Sequence, residues 1–171
     1  MHILEFVYCP KCKGELEKHD EYLRCLSCNE KLYINPTPGV SVLPVKDGKV
    51  LLSKRAIEPW KGEWDTLGGF MKPDESMEEA GLREVKEETS LILEDLKYLG
   101  TYPSEYGYPI GEPVINIYYV AKIKSGEEKP NDDVSELKWF PIEETDKIKS
   151  SFANVKNALR DLRKWYKNLK K

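Results

Sequence analysis

Gly69-Phe70-Met71-Lys72-Pro73-Asp74-Glu75-Ser76-Met77-Glu78-Glu79-Ala80-Gly81-Leu82-Arg83-Glu84-Val85-Lys86-Glu87-Glu88-Thr89-Ser90-Leu91 joins a helix signal to a dense set of carboxylates. Ser76 and Glu79, three apart, form a capping box, so a helix is predicted over 76–89. Met77, Gly81 and Val85 recur at i+4 with Ala80 beside them and form its inward side, while Arg83, Glu84, Glu87 and Glu88 fall on the other. Within 74–88 seven carboxylates (Asp74, Glu75, Glu78, Glu79, Glu84, Glu87, Glu88) face only Arg83 and Lys86, a local charge of -5 in 15 residues. Glu84, Glu87 and Glu88 stand at i, i+3 and i+4, close enough to repel. Such a triplet is either a solvated acidic face or a cation site. For the second, oxygen donors without His or Cys favour Mg2+ or Mn2+ over zinc.

Upstream, the apolar runs 40–45 and 49–53 flank Lys46-Asp47-Gly48, and Asp-Gly between such runs predicts a hairpin. Downstream, 96–102, 114–123 and 137–140 have the β-branched and aromatic content of strands. Ile148, Phe152, Val155, Leu159, Leu162, Tyr166 and Leu169 alternate spacings of four and three, which predicts an amphipathic C-terminal helix. Strands interleaved with two separated helices indicate an α/β fold whose helices cover a mixed sheet.

The 171 residues carry a net charge of -3, but 147–171 hold nine Lys/Arg against Asp161, leaving an acidic body with a basic tail. That tail reads either as the wet side of a packed helix or as an anchor for RNA or another acidic partner; self-association of its apolar stripe into a homodimer stays open. The length suits one domain plus a small satellite. No run approaches the roughly 20 apolar residues of a membrane helix, and the apolar start contains Glu5 and runs into Cys9. A cytoplasmic protein with no membrane partner is expected.

All four cysteines lie in the pattern Cys9-x2-Cys12-x12-Cys25-x2-Cys28. Two knuckle turns of this spacing close a tetrahedral, all-thiolate shell around a structural Zn2+. The alternative, two disulfides, is disfavoured in a reducing compartment. His2 and His19 are not needed as ligands. Residues 1–34 offer few core-sized side chains (Leu4, Phe6, Leu16, Leu23, Leu32), so the metal is expected to hold them together. Glu5, Glu15, Glu17, Asp20, Glu21 and Glu30 make the same segment a poor phosphate-binding surface. Pro36, Pro38 and Gly39 mark a break. The expected organisation is a zinc ribbon at 1–34, a linker at 35–39 and a main domain at 40–171.

The string Gly69-x5-Glu75-x7-Arg83-Glu84-Val85-Lys86-Glu87-Glu88-Thr89-Ser90-Leu91 resembles the Nudix box, G-x5-E-x7-R-E-U-x-E-E-x-G-U, where U is a bulky aliphatic. Eight of nine specified positions match; Ser90 replaces the final glycine, at a place after the helix that often needs φ > 0. The segment 55–70 looks like the family's approach to the box, with Leu67 where proline is frequent, and 133–140 resembles its later acidic loop and Trp-Phe strand. The resemblance to the Nudix hydrolase superfamily spans about 38–171, and a four-cysteine ribbon ahead of it is similar to the NADH pyrophosphatase branch.

That resemblance implies an α/β/α sandwich with a mixed sheet behind a small zinc ribbon. It also implies hydrolysis, with Mg2+ or Mn2+, of a nucleoside diphosphate linked to another moiety. Glu84, Glu87, Glu88, Arg83 and Glu75 are the implied catalytic set, with Glu84, Glu87, Glu88 and Asp133 as metal ligands. Arg83 is expected to pair with Glu75 and brace the loop, and Gly68 and Gly69 to let backbone approach the phosphates. For substrate binding, Arg55, Phe70, Trp60 and Tyr106 join the two glycines, with Tyr102 and Tyr108 as further stacking candidates. In 102–109 only proline and aromatic character survives of the Ser-Gln-Pro-Trp-Pro-Phe-type stretch of NADH pyrophosphatases, which weakens NADH. ADP-ribose, diadenosine polyphosphates, NAD-capped RNA and an oxidised nucleotide stay open, nucleic acid otherwise being unfavoured. The competing class is a nucleotide-sensing or RNA-binding regulator with a Nudix fold and no turnover, which would be expected to lose box carboxylates; this chain keeps them.

Overall fold

In the N-terminal unit of the computed structural model, Met1–Pro36, three short strands, β1 (Leu16–Lys18), β2 (Tyr22–Cys25) and β3 (Lys31–Tyr33), pair antiparallel in that order. The structure describes residues 3–107, 111–150 and 152–170, so His2 and Tyr108 lie outside the described residues. The apolar interior of this unit is small: Leu23 is buried beside Cys9 and Cys25.

The second unit, Thr37–Lys171, opens with β4 (Thr37–Lys46) and β5 (Lys49–Arg55). The predicted hairpin joins them, with Asp47 at φ 50° and Gly48 at φ 73°, the two positive angles that an Asp-Gly turn supplies. There follow β6 (Trp64–Asp65), β7 (Leu67–Phe70), α1 (Met77–Thr89), β8 (Ile92–Tyr106), β9 (Glu112–Ser125), β10 (Val134–Pro141), a 3-10 turn (Ile142–Lys147) and α2 (Ala153–Leu169). The sheet runs β10-β5-β4-β9-β8, with β6 on β5 and β7 on β4. Among the described residues only β4 and β9 pair parallel, which makes the sheet mixed, as expected.

Period-two alternation gives each central strand two apolar faces. Leu43, Val50, Leu52, Tyr118 and Val120 pack with Val155, Leu159 and Leu162 of α2, whereas Val40, Val42, Leu51, Tyr119 and Ala121 pack with Ala80 and Val85 of α1. One helix thus covers each face, an α/β/α sandwich. Because the α2 stripe is spent on the sheet, only its end, Leu169, is largely exposed.

Four expectations change. Residues 37–39, expected in a linker, belong to β4, because the parallel ladder to β9 starts at Thr37↔Val114 and the proline-restricted φ suits a strand. The strand expected at 96–102 is the middle of the 15-residue β8. The C-terminal helix begins at Ala153, since Ile148 and Phe152 have extended backbones. Glu88 does not share an outer helix face with Glu87; it is buried with Val85 and Thr89. Among the described residues no helix is long and apolar enough to cross a membrane.

Candidate active site

Helix α1 begins as its sequence dictates. The Ser76 side chain accepts the Glu79 N–H and the Glu79 carboxylate accepts the Ser76 N–H, closing both halves of the capping box. This fixes the rotation of the next three turns, which deliver Glu84 and Glu88 to a cleft of about 330 Å³. Gly39 and Ser41 of β4, Asp65, Gly68, Gly69 and Phe70 also line it, as do Tyr106 and Asn116, Asp132 and Asp133, and Phe152 and Asn154 at the start of α2.

The two box glycines serve different ends. Gly68 sits at φ 148° against β4, where a β-carbon would strike the Val40 carbonyl. A β-carbon on Gly69 would come 2.6 Å from the Glu84 carboxyl, so this glycine makes room for that side chain.

Glu88 is 6% exposed, and its Oε2 accepts the Gly68 N–H at 3.1 Å. No lysine or arginine pairs with it among the described residues. Burial, with the negative charges of Asp133, Glu84 and Asp65 around it, holds its carboxyl well above the ordinary carboxylate range. Glu84 is also pushed up by burial, against the pull of Arg83, whose Nη1 lies 2.7 Å from Glu84 Oε1. Arg83 forks onto Glu75, as expected, and its Nη1 and Nη2 further reach Glu87 Oε2 (3.1 Å) and the Phe70 carbonyl (3.2 Å). Glu87 itself stays half exposed, off the cleft lining.

Arg55 is engaged in the wall: Nε donates to the Pro59 carbonyl (2.8 Å), Nη1 to Asp65 Oδ2 (3.1 Å) and Nη2 to the Tyr106 hydroxyl (3.5 Å). Phe70 and Tyr106 meet edge to face at 5.5 Å, with Phe70 41% exposed. Trp60 packs its ring on Phe152 at 4.5 Å and is not among the cleft-lining residues. Tyr102 is core, donating to Asp161 Oδ2 at 2.9 Å, which removes it as a stacking candidate.

Asp65, Asp132, Asn116 and Asn154 also line the cleft, although no motif marked them. Asp65 is brought, partly buried, beside Arg55 because β6 pairs with β5 at Ser53↔Asp65, a long-range event with no local signal. The adjacent Trp64-Asp65 pair precedes the glycines too briefly to read as a strand.

In the N-terminal unit Sγ atoms of Cys9 and Cys28 are 3.8 Å apart and those of Cys12 and Cys25 3.4 Å, and all four ligand atoms lie within 4.8 Å of one another. Bonds of about 2.3 Å in a tetrahedral zinc-thiolate shell put sulfurs about 3.8 Å apart, so the cluster fits zinc. Backbone amides of Cys28 and Ser27 draw the Cys25 thiol below its ordinary range, which suits a thiolate ligand. His19 instead stacks on Tyr22 and meets Glu17 at 2.9 Å.

A mixed sheet between two helices, with carboxylates of a capped helix brought beneath a double-glycine strand, defines a Nudix-type hydrolase. The comparisons agree: a model of the NUDIX domain matches residues 35–166, and the chain belongs to the Nudix hydrolase family. It is similar to the ADP-ribose pyrophosphatase of Methanocaldococcus jannaschii, 36% identical over 135 residues that make up 79% of this chain and 78% of that protein. The NAD-capped RNA hydrolase NudC of Pseudomonas aeruginosa is 28% identical over 141 residues, 80% of this chain and 48% of NudC, so the chain spans about half the length of that relative. Among solved structures, the MutT NUDIX hydrolase from Burkholderia pseudomallei superposes with a TM-score of 0.66 at 28% identity, covering 74% of this chain and 98% of that one. The NUDIX domain of Shewanella oneidensis NrtR, complexed with ADP ribose, shares the fold at 24% identity and a TM-score of 0.63, over 77% of this chain and 89% of that one. Nudix hydrolases generally use divalent metals, and the carboxylate oxygens that Asp65, Glu84, Glu88, Asp132 and Asp133 bring to this cleft are donors that fit such an ion.

Proposed function

We propose that the chain is a Mg2+- or Mn2+-dependent pyrophosphohydrolase of a nucleoside diphosphate linked to a second moiety, with ADP-ribose the favoured substrate. The observation that carries this reading is Glu88: a buried carboxylate ringed by Glu84, Asp65 and Asp133 is stable as an anion only with a cation. The choice of ADP-ribose is supported by the relative from Methanocaldococcus jannaschii, which this chain matches over most of both lengths.

Glu84 and Glu88 would hold the cation from the helix, Asp133 from the loop ahead of β10, and Glu87 from the rim. When bound, the cation neutralises pyrophosphate oxygens and lowers the pKa of a coordinated water. Arg83 fixes the Glu84 carboxyl and ties it, through Glu75, to the loop before α1. Gly68 and Gly69 keep the strand free of side chains beside the phosphates. Phe70 and Tyr106 offer an aromatic corner for a planar base, while Arg55 orients Tyr106. One member of the carboxylate set accepts the proton of the attacking water. Cys9, Cys12, Cys25 and Cys28 would hold a structural Zn2+, and thiols kept for a metal suit a cytoplasmic setting.

The test is a panel of ADP-ribose, NADH, NAD-capped RNA, diadenosine polyphosphates and nucleoside triphosphates with Mg2+ or Mn2+, wild type beside Glu88→Gln. Metal-dependent release of AMP from ADP-ribose, abolished in the variant, supports the reading. Tight binding of ADP-ribose without cleavage would instead favour a sensor.

A further inference from the structure

Ser90 occupies the one position where this chain departs from the box pattern, and the structure holds it at φ 62°, ψ 9°, in the left-handed region that disfavours a β-carbon. Its hydroxyl is not idle there. Ser90 Oγ accepts a hydrogen bond from Asn131 Nδ2 at 2.9 Å, across 41 residues of sequence. Around this bond, the Asn131 N–H donates to the Glu88 carbonyl (2.9 Å) and the Lys129 N–H to the Thr89 carbonyl (3.0 Å). Both acceptors belong to the last turn of α1, whose carbonyls have no donor within the helix. Gly126, at φ 106°, lies so near that a β-carbon on it would come 2.6 Å from the Ser90 carbonyl oxygen.

The segment between β9 and β10 is therefore fastened to the C-terminal end of α1, and the side-chain bond to Ser90 is one of its few fastenings that glycine cannot supply. Two residues past Asn131 comes Asp133, which lines the same cleft as Glu84 and Glu88, and whose carbonyl accepts the Ala56 N–H at 2.7 Å. Asp132 before it is at φ 53°, a second non-glycine residue held left-handed in this short stretch. A tether of this kind, outside the ligands yet fixing their approach, is how an outer shell tunes a metal site.

We propose that Ser90 is a positioning residue: through Asn131 its hydroxyl sets the pitch of the loop that presents Asp132 and Asp133 to the Glu84–Glu88 strip. The replacement of the box glycine is then a gain of a tether and not a neutral drift. This inference rests on the reading that these carboxylates share a divalent cation.

The experiment uses the full chain as wild type, Ser90→Gly, Asn131→Ala and the double variant. Mn2+ affinity is measured by electron paramagnetic resonance without substrate, thermal midpoints are taken in chelator, and amide exchange is followed at Lys129 and Asn131. Ser90→Gly relieves the left-handed β-carbon, so its midpoint is expected to hold or rise while Mn2+ affinity falls roughly tenfold, the low end for loss of an orienting partner. Asn131→Ala should give the same fall and the double variant no further one, with faster exchange at both amides and a lower kcat at unchanged KM. Wild-type Mn2+ affinity in Ser90→Gly, or losses that multiply in the double variant, would overturn the proposal. If the wild type itself binds no Mn2+ at millimolar concentration while exchange still responds to Ser90→Gly, the tether stands but the cation reading beneath it falls, and the assignment of Ser90 to that site with it.

Discussion

Arg83 grips Glu75 through two parallel bonds, Nε to Oε1 at 2.5 Å and Nη2 to Oε2 at 2.8 Å, and with its remaining nitrogen holds Glu84 at 2.7 Å. One guanidinium thus joins the loop before α1 to a carboxylate in the cleft, and draws the Glu75 carboxyl down to about 2. Lysine has the charge but not the fork. Arg83→Lys is expected to fold, with an unchanged circular dichroism spectrum, and to lose roughly a hundredfold in kcat because Glu84 is no longer aimed. Steady-state kinetics on ADP-ribose check this.

The neighbouring glycines should fail differently. Gly68→Ala places a β-carbon against the Val40 backbone at φ 148° and is expected to lose about 3 kcal/mol of stability, seen in urea unfolding. Gly69→Ala meets only the Glu84 carboxyl, a movable side chain, so its midpoint should stay close to wild type while divalent-ion binding weakens. Equal loss of stability in both would contradict the separate roles.

Much of this was legible in sequence wherever the cause is local. Asp47-Gly48 made the hairpin and Ser76-Glu79 the helix start because each acts through backbone within four residues. The alternating apolar runs at 40–45 and 49–53 became the two-faced centre of the sheet for the same reason. What escaped depended on distant partners. Asp65 enters the cleft only because β6 adds to β5, Asp132 because Lys129 and Asn131 cap α1, and Asn154 because α2 starts five residues later than its apolar stripe. Spacing alone places Glu88 on an outer face with Glu84 and Glu87; the strand Leu67–Phe70, laid over that edge of α1, buries it.

Asp161 of α2 lends a pH-dependent contribution. Lys164 Nζ at 2.7 Å, Arg160 and the Tyr102 hydroxyl hold its carboxyl near 2, below the ordinary 3.8. A depressed carboxylate stabilises the fold fully above its unfolded pKa, and that stability is lost as pH falls through the folded value. After screening by solvent the contribution is about 1 kcal/mol. Asp161→Asn should therefore lower the urea midpoint at pH 6, and the gap to wild type should narrow between about pH 4 and pH 2. A gap that stays constant over that range would contradict the ionic account.

Metal removal should separate the two units. With zinc chelated, or in Cys25→Ser, the N-terminal unit is expected to unfold, because Leu23, Cys9 and Cys25 are its buried apolar residues among those described. The Thr37–Lys171 unit has its own two-faced core and should keep its thermal transition. Limited proteolysis with and without chelator reads this directly, together with one zinc per chain by elemental analysis.

In the proposed function, the buried Glu88 carboxylate on α1 works by holding a divalent cation against a pyrophosphate. Its most direct test is calorimetric titration of Mn2+ into wild type and Glu88→Gln, paired with AMP release from ADP-ribose. Wild type should bind Mn2+ and cleave, and Glu88→Gln should remain folded, bind Mn2+ at least tenfold more weakly by the usual cost of removing a ligand or its partner, and release no AMP above background. Undiminished Mn2+ affinity and turnover in Glu88→Gln would contradict the account.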